Sequence, residues 1–597
     1  MGENELRDLI LRVKHGTLSR RRFVGIMVGL GLTAPMASQM LAGSGVAMAQ
    51  AVPAYKPTKR GGGGALRLLW WQAPTLLNPH FAVGTKDFDG SRLFYEPLAA
   101  WDPEGNLVPI LAAEIPSPQN GGVAPDGRSV TWKLKRNVSW HDGRPFTADD
   151  VVFNCEFASD PATAALTIGN YRAAKAEKID TYTVRVVFAE PTPYWAIAYV
   201  GNFGMQIPKH LFDAYRGAKS RDAPTNLKPV GTGPYRFVDF RPGDTVRGEI
   251  NPNYHEPNRP HFDTVEMKGG GDAVSAARAV LQTGEFDYAW NMQVEDEILK
   301  RLENGGKGRV VIAESGGCEH LQCNFTDPWT EVDGERSSAK TKHPILSDAA
   351  VREALNLLAD RASIQEHVYG RGGTATRNFL ASPARFCSPK SNWEFNVDKA
   401  NQALETAGWK RGADGIRTKD GKRLRMLFQT AINAPRQKTQ AIVKQAAARV
   451  GIDIELKSIV PAVYFSTDPA NLDTSSHFTA DLQMYSFNSG SPDPQRFMDP
   501  FVSWEASQKE NKWAGRNSTR WRNEEYDRLF RTAETEMDPV KRAAHFIRMN
   551  DLLAQNVVIV PFLWRGNAFA VSNRLQGTEI SGWDSNCWNI AHWYKTA

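Results

Sequence analysis

Residues 138–153 read VSWHDGRPFTADDVVF and gather His141, Asp142, Asp149 and Asp150 in one short stretch. A histidine among carboxylates can shuttle protons or hold a metal ion. The flanking pattern gives the same residues structural work. Val130, Trp132 and Leu134 alternate as the inward face of a strand, Asp142-Gly143 suits a tight turn, and Thr147 suits a helix N-cap, with Asp149 and Asp150 complementing the positive helix end.

A second group, Cys318, His320 and Cys323 in CEHLQCNF, also has metal-ligand types. The stretch reads as a strand, whose period of two puts Cys318 and His320 on one face and Cys323 on the other, so buried or bridged cysteines are expected. The five cysteines, Cys155, Cys318, Cys323, Cys387 and Cys587, allow at most two bridges and no disulfide scaffold. His255-Glu256 with His261 lacks zinc-helix spacing, and Pro257 and Pro260 exclude a regular helix, which predicts a surface loop. No nucleophile elbow, phosphate loop, dinucleotide fingerprint or H-E-x-x-H motif occurs. Carboxylate pairs that flank a glycosidic bond meet only in the fold, so an exported hydrolase stays open as an alternative.

The elements that must position such residues are those of a large soluble α/β protein. The chain has 597 residues, 41% hydrophobic and 23% charged, and at that length two or three lobes are expected. Strand-like runs include ALRLLWW from 65, TYTVRVVFA from 181, TVRGEI from 245, FDYAW from 286, RLRMLFQT from 423, IDIELKSI from 452, DLQMY from 481 and VVIVPFLW from 557. Helical patterns alternate with them, among them FTADDVVFNCEFAS, SDAAVREALNLLAD, PRQKTQAIVKQAAARVG and DPVKRAAHFIRMNDLLAQN. Ser347 or Asp348 can cap one helix, and Gly408 and Gly451 sit where a left-handed residue ends another. The stretch 423–459 reads strand, helix, glycine, strand, which is a βαβ unit and implies mixed sheets covered by helices.

The first 49 residues read as an export signal. Ser19-Arg20-Arg21-Arg22-Phe23-Val24 fits the twin-arginine pattern, a mildly apolar run follows, and Ala47-Met48-Ala49 offers a cleavage site. Removing this segment, with six Lys/Arg and three Asp/Glu, lowers the formal net charge from +6 to +3. No basic run interleaved with aromatics remains, which argues against nucleic acid as a partner. The linker, residues 50–64 and ending in AVPAYKPTKRGGGG, reads as unpacked chain, with folding beginning near Ala65.

Ordered signals along most of the mature chain resemble the family 5 extracellular solute-binding proteins of ABC importers. They are LVPILAAEI, TWKLKRNVSWHDGRPFTADDVVF, QIPKHLF, PVGTGPYRFVDFRPGD, LQTGEFDYAW, LQCNFTD, VREALNLLADRASI and VDKANQALETAGW. The resemblance implies the two-lobed periplasmic binding protein fold (type II, cluster C-like), α/β with mixed sheets and an extra inserted domain. It places lobe I at 65–96, 227–315 and 555–597, the insert at 97–226 and lobe II at 316–554. It further implies hinge closure on a small-molecule or short-peptide ligand, no catalytic residue, metal or cofactor, and a monomer that delivers its ligand to ABC permease subunits after export by the twin-arginine machinery. A periplasmic sensory receptor on the same fold is the other alternative.

Ligands of open α/β sheets sit beyond the carboxyl ends of strands. That rule selects Trp71, Gln72 and Thr85 after the first strand and Trp290 and Asn291 after FDYAW, with core packing as the competing role of the two tryptophans. From lobe II the family's strand-to-loop segment corresponds to YSFNSGSPDPQRF, which contributes Tyr485, Asn488, Ser489, Gly490 and Asp493. Peptide-binding members carry an aspartate before the Asp-Pro to pair with the ligand's α-ammonium group. Here that register holds Asn488, Ser489 and Gly490, and Asp493 is the nearest acid, which leaves room for an opine, a sugar-like solute or a peptide anchored elsewhere.

Overall fold

The computed structural model describes residues 57–596 except 83, 172, 466–469, 490, 512 and 514, together with 7, 9 and 10. The twin-arginine motif and the cleavage site lie outside the described residues. The chain forms two compact units, one built from 57–314 and the segment from Asn567 onward, the other from Ser315–Gly566. Each is α/β. Among the described residues, no helix is long and apolar enough to cross a membrane.

The first unit is organised by β1 (Ala65–Leu69), whose Leu66 and Leu68 are buried at the period of two that ALRLL shows. After helix α1 (Thr85–Arg92), a separate antiparallel sheet forms from β2 (Ser129–Lys133), with α2 (Ala148–Ser159) packed on its edge strand β3 (Ala174–Asp180) and β4 (Thr183–Phe188) in the centre. Val130, Trp132 and Leu134 are buried, as the alternation predicts. The antiparallel run β5 (Tyr235–Arg241), β6 (Thr245–Ile250) and β7 (Thr264–Lys268) then joins β1 in parallel, Leu66 opposite Val265. On the other side of β1 lies the short parallel strand β8 (Tyr288–Ala289), with Leu69 opposite Ala289.

The stretch VSWHDGRPFTADDVVF belongs to this framework. Gly231 donates its N–H to His141 Nδ1 at 3.1 Å and His141 Nε2 donates to the Gly233 carbonyl at 3.0 Å. Burial pushes the imidazole down to about 4, so it stays neutral and holds the GTG loop. Gly231 and Gly233 are required there, because a Cβ would lie 1.9 and 2.6 Å from the Phe94 carbonyl oxygen. Asp142 pairs with His210 at 2.6 Å, Asp149 with Lys178 at 2.7 Å, and Asp150 accepts the N–H groups of Thr147 and Lys209 at 3.0 and 3.1 Å. All four candidate groups are thus occupied by structure.

Two expectations need correction. The glycines of the presumed unpacked linker are packed: Gly61 donates to Pro260 O, and Gly62 and Gly64 donate to the Asp263 carboxylate at 2.8 and 2.9 Å. A Cβ at Gly63 would stand 2.3 Å from the His261 ring, so close approach explains the tract. His255, expected on a surface loop, is buried and binds Glu96 at 3.0 Å. Burial opposes the Glu96 charge, but His255, Arg92 and the Tyr254 hydroxyl outweigh it and hold the carboxyl below its usual range.

The carboxyl-terminal segment is tied down by buried carboxylates. Asp89 accepts from Trp70 Nε1 at 3.0 Å, Ser585 Oγ at 2.7 Å, and the N–H and Nδ2 of Asn586 at 2.9 and 2.8 Å. Asp584 accepts the Trp101 N–H at 2.8 Å.

The second unit is entered by β9 (Gly308–Cys323), whose first residues belong to the first unit. The helices α3 (Ala349–Leu357) and α4 (Val397–Thr406) pack on one another. Asp348 caps α3 through the Ala350 N–H, one of the two caps foreseen. The predicted βαβ unit is β10 (Arg425–Ala431), α5 (Ala434–Arg449) and β11 (Asp453–Ile459), with the strands parallel. Gly408 and Gly451 have φ of 87° and 83°, the left-handed stops read from sequence. The sheet continues through β12 (Leu482–Ser489), parallel to β10 and antiparallel to β9. The paired helices α6 (Glu524–Thr535) and α7 (Pro539–Gln555) precede β13 (Ile559–Ser572), which returns to the first unit, where Val571 opposes Tyr288. All five cysteines are free, and among the described residues no cluster of His, Cys, Asp or Glu could hold a metal ion.

The Asp584 environment gives a pH prediction. Burial raises its carboxyl to about 6, with Arg92 and two backbone N–H groups opposing the shift. A folded-state pKa above the unfolded value means that ionisation costs stability as pH rises from about 4 to 6, and this cost persists above 6. Asp584→Asn mimics the neutral form, so its thermal stability relative to wild type is expected to be greater at pH 7.5, by about 1–3 kcal/mol, and the gain should vanish as pH falls to about 4. A variant less stable than wild type at pH 7.5 would show that the tail needs the charge.

Candidate functional site

The register of β12 on β9 decides what the carboxyl end of β12 presents. On one face the directly opposed pairs are Gln322/Gln483, His320/Tyr485 and Cys318/Phe487. Gln429 of β10 stands opposite Gln483 on its other side, so three glutamines cross three strands at one level. They form a ladder. Gln429 Nε2 donates to Gln483 Oε1 at 3.3 Å, Gln483 Nε2 donates to Gln322 Oε1 at 2.8 Å, and Gln322 Nε2 donates to the Tyr485 hydroxyl at 3.1 Å. Tyr464 donates its hydroxyl to Gln483 Oε1 at 3.1 Å, and Ser518 donates to Gln322 Oε1 at 3.0 Å.

The ladder ends on Tyr485. Its ring packs with His320 at 5.5 Å, Phe487 at 5.6 Å, Phe465 at 6.2 Å and Tyr464 at 6.3 Å between centroids. Burial raises its phenol above the usual range, so it stays a neutral hydroxyl. His320 bonds through Nδ1 to the Cys318 carbonyl at 2.9 Å and through Nε2 to Gln322. Burial lowers it to about 4, so it is neutral packing and not an acid/base group. Phe465, packed beside the Tyr485 ring, exposes about half its surface, an apolar rim beside a fixed hydroxyl.

Reading the sequence for site residues missed Glu319, on the opposite face of β9. This buried carboxylate is held by Arg436 through two bonds of 3.0 Å, from Nε and Nη2, and by Arg565 at 3.4 Å. Burial opposes its charge, but the guanidiniums prevail and keep it ionised. Arg436 stands in the first turn of α5, directly beyond the carboxyl end of β10. Two guanidiniums thus converge on one carboxylate at this end of the sheet. The available signal was an acid inside the apolar strand CEHLQCNF, a placement that requires a buried cation.

The other expected residues divide. Asp493 is not an open acid: Arg542 binds it, with Nη2 at 3.0 Å from Oδ1, and the same oxygen accepts the Gln495 N–H. Asn488 and Ser489 are the last strand residues, opposite Gly317 and Gly316, and Gly490 lies outside the described residues. In the first unit Trp71 and Trp290 emerge from adjacent strand ends. Trp71 Nε1 donates to the Asn291 carbonyl at 3.0 Å, and its ring lies 6.2 Å from Trp290. Trp290 is buried and parallel to Trp70 at 6.2 Å, so core packing accounts for it. Asn291 has φ of 56°, which asparagine tolerates, and Gln72 and Thr85 are exposed.

The comparisons agree with this architecture. The family model of the bacterial extracellular solute-binding proteins, family 5 Middle, matches residues 106–509. The oligopeptide-binding protein AppA of Bacillus subtilis is 26% identical over 87% of this chain and 90% of its own length, and the glutathione-binding protein GsiB of Escherichia coli K12 is 23% identical over 84% and 89%. Among solved structures, NikZ of Campylobacter jejuni in complex with Ni(L-His) superposes with a TM-score of 0.70 at 22% identity, covering 89% of this chain and 99% of its own. AppA with a nonapeptide gives 0.68 at 24%, covering 91% and 100%. These neighbours are two-lobed binding proteins with the mixed α/β sheets described above, and the match spans most of the chain: it belongs to the family 5 bacterial extracellular solute-binding proteins.

Proposed function

We propose that this protein is exported by the twin-arginine route, captures a small peptide-like solute, an opine or a related compound in the periplasm, and delivers it to the permease subunits of an ABC importer. The family match over residues 106–509 carries the reading. Members of this family are solute-binding transport proteins, so neither hydrolase nor sensor is favoured.

The chemistry of the second unit narrows the solute. The register that would hold an acid for an α-ammonium group carries Asn488 and Ser489, and Asp493 is neutralised by Arg542. The Arg565 guanidinium beside Glu319 is partly exposed, and Tyr485 offers a neutral hydroxyl beside an aromatic face. A solute with a carboxylate and an apolar part, but without a primary ammonium group as its main anchor, suits these groups. We assign contacts to Tyr485, Asn488, Ser489 and Gly490 from this unit and to Trp71, Gln72, Thr85 and Asn291 from the other.

Thermal shift with a panel of short peptides, N-blocked peptides and opines tests the assignment: a bound solute raises Tm with concentration and is recovered unchanged. Tyr485→Ala should weaken that binding about ten- to hundredfold, and Arg565→Gln should weaken carboxylated solutes more than their amides. Product formation in the same mixtures would overturn the binding role.

Replacing Arg20 and Arg21 by Lys should leave the precursor in the cytoplasm. Normal periplasmic accumulation of that variant would exclude twin-arginine export while leaving the binding role intact.

A further inference from the structure

The second unit contains a cavity of about 460 Å³ lined by Trp329, Arg336, Leu427, Lys457, Asn471 and Asp473, among others. It lies toward the amino end of β12, because Asp481, which anchors its tryptophan, precedes that strand. Tyr485 is four residues further on, roughly 13 Å at 3.3 Å per residue. None of the residues assigned above to the transported solute lines it.

Its aromatic wall is fixed and open at once. Trp329 is 53% exposed, yet its Nε1 donates to Asp481 Oδ1 at 2.9 Å. Asp481 is itself buried and also binds His343 at 2.9 Å and the Leu427 N–H at 2.6 Å. An indole normally hides its large apolar face, and here a buried acid holds it at the surface instead. The Arg336 guanidinium lies 5.3 Å from the ring centre. The remaining wall is polar and ordered: Lys457 pairs with Asp473 at 2.6 Å, Asn471 accepts the Asp473 N–H at 3.1 Å, and Thr479 donates to the Leu472 carbonyl at 3.0 Å.

We infer that this cavity is a second ligand site, separate from the transport site, and that it takes a saccharide ring. A pyranose offers a face of polarised C–H groups to the electron-rich indole, and its rim of hydroxyls both donates and accepts. A wall that alternates ammonium, carboxylate, amide and hydroxyl groups around an aromatic plate matches both demands. An apolar ligand would leave these polar groups without water.

Ligand-observed NMR on the mature protein with cellotriose, chitotriose and digalacturonate tests the site. Binding of at least one probe with a Kd of about 1 mM or tighter, at least tenfold weaker in Trp329→Ala and largely retained in Trp329→Phe, which keeps an aromatic face, is the expected result. Tyr485→Ala should leave this binding unchanged, which separates it from the transport site. Preference for digalacturonate over cellotriose would show that Arg336 reads a sugar carboxylate, and the reverse preference would show a neutral saccharide site. No binding by any probe, or binding indifferent to Trp329→Ala in a variant whose Tm matches wild type, would overturn the inference.

Discussion

Everything the second unit presents at the carboxyl end of its sheet depends on the register of β9 against β12. Side chains alternate faces, so a slip of one residue would exchange the Gln322, His320 and Cys318 face for the Glu319, Leu321 and Cys323 face. The glutamine ladder would lose its rungs, and Glu319 would leave its guanidiniums. The register is therefore fixed from both sides. One face has amides that satisfy one another only at this alignment, and the other has an ion cluster that forms only at this alignment.

Burying these polar groups is costly unless each is paired, and the two units solve that problem in similar ways. Glu96 in the first unit gathers Thr232, Tyr254, His255 and Arg92, while Glu319 in the second gathers Arg436 and Arg565. Removing one partner of such a group typically costs about 3–5 kcal/mol, because it strands a charge away from water. Each cluster thus acts as a condition on the fold: segments far apart in sequence must be in place together. Asp89 does the same for the carboxyl-terminal tail, joining it to residues almost 500 positions earlier.

Much of this was legible locally. Period-two and helical patterns, the Asp348 and Thr147 caps, the glycine stops at 408 and 451 and the βαβ unit all rest on interactions within a few residues, which composition and spacing record directly. The long-range pairs were not legible. Arg436 and Arg565 lie 117 and 246 residues from Glu319, and Arg542 lies 49 from Asp493. A carboxylate that a turn alone could explain gives no sign in sequence that a distant arginine already neutralises it. The GGGG tract failed for a related reason. Glycine permits flexibility and close approach equally, and only the position of Asp263 and His261 decides between them.

The same reasoning explains why the most conspicuous residues have no polar group to spare. His141 and its aspartates are conspicuous because many polar groups are needed where a strand, a turn, a helix cap and the GTG loop converge, and each is consumed in satisfying a backbone or side-chain partner. A recognition surface needs the opposite condition, groups whose geometry is fixed from behind while one side stays available. Tyr485 meets it, held at its hydroxyl by Gln322 and flanked by rings, yet not fully buried. Trp329 meets it too, held at Nε1 by Asp481 with its face exposed. In both cases a buried polar group anchors one end of an amphipathic ring and thereby limits the ordering entropy that binding must overcome, which is the physical content of a preformed site.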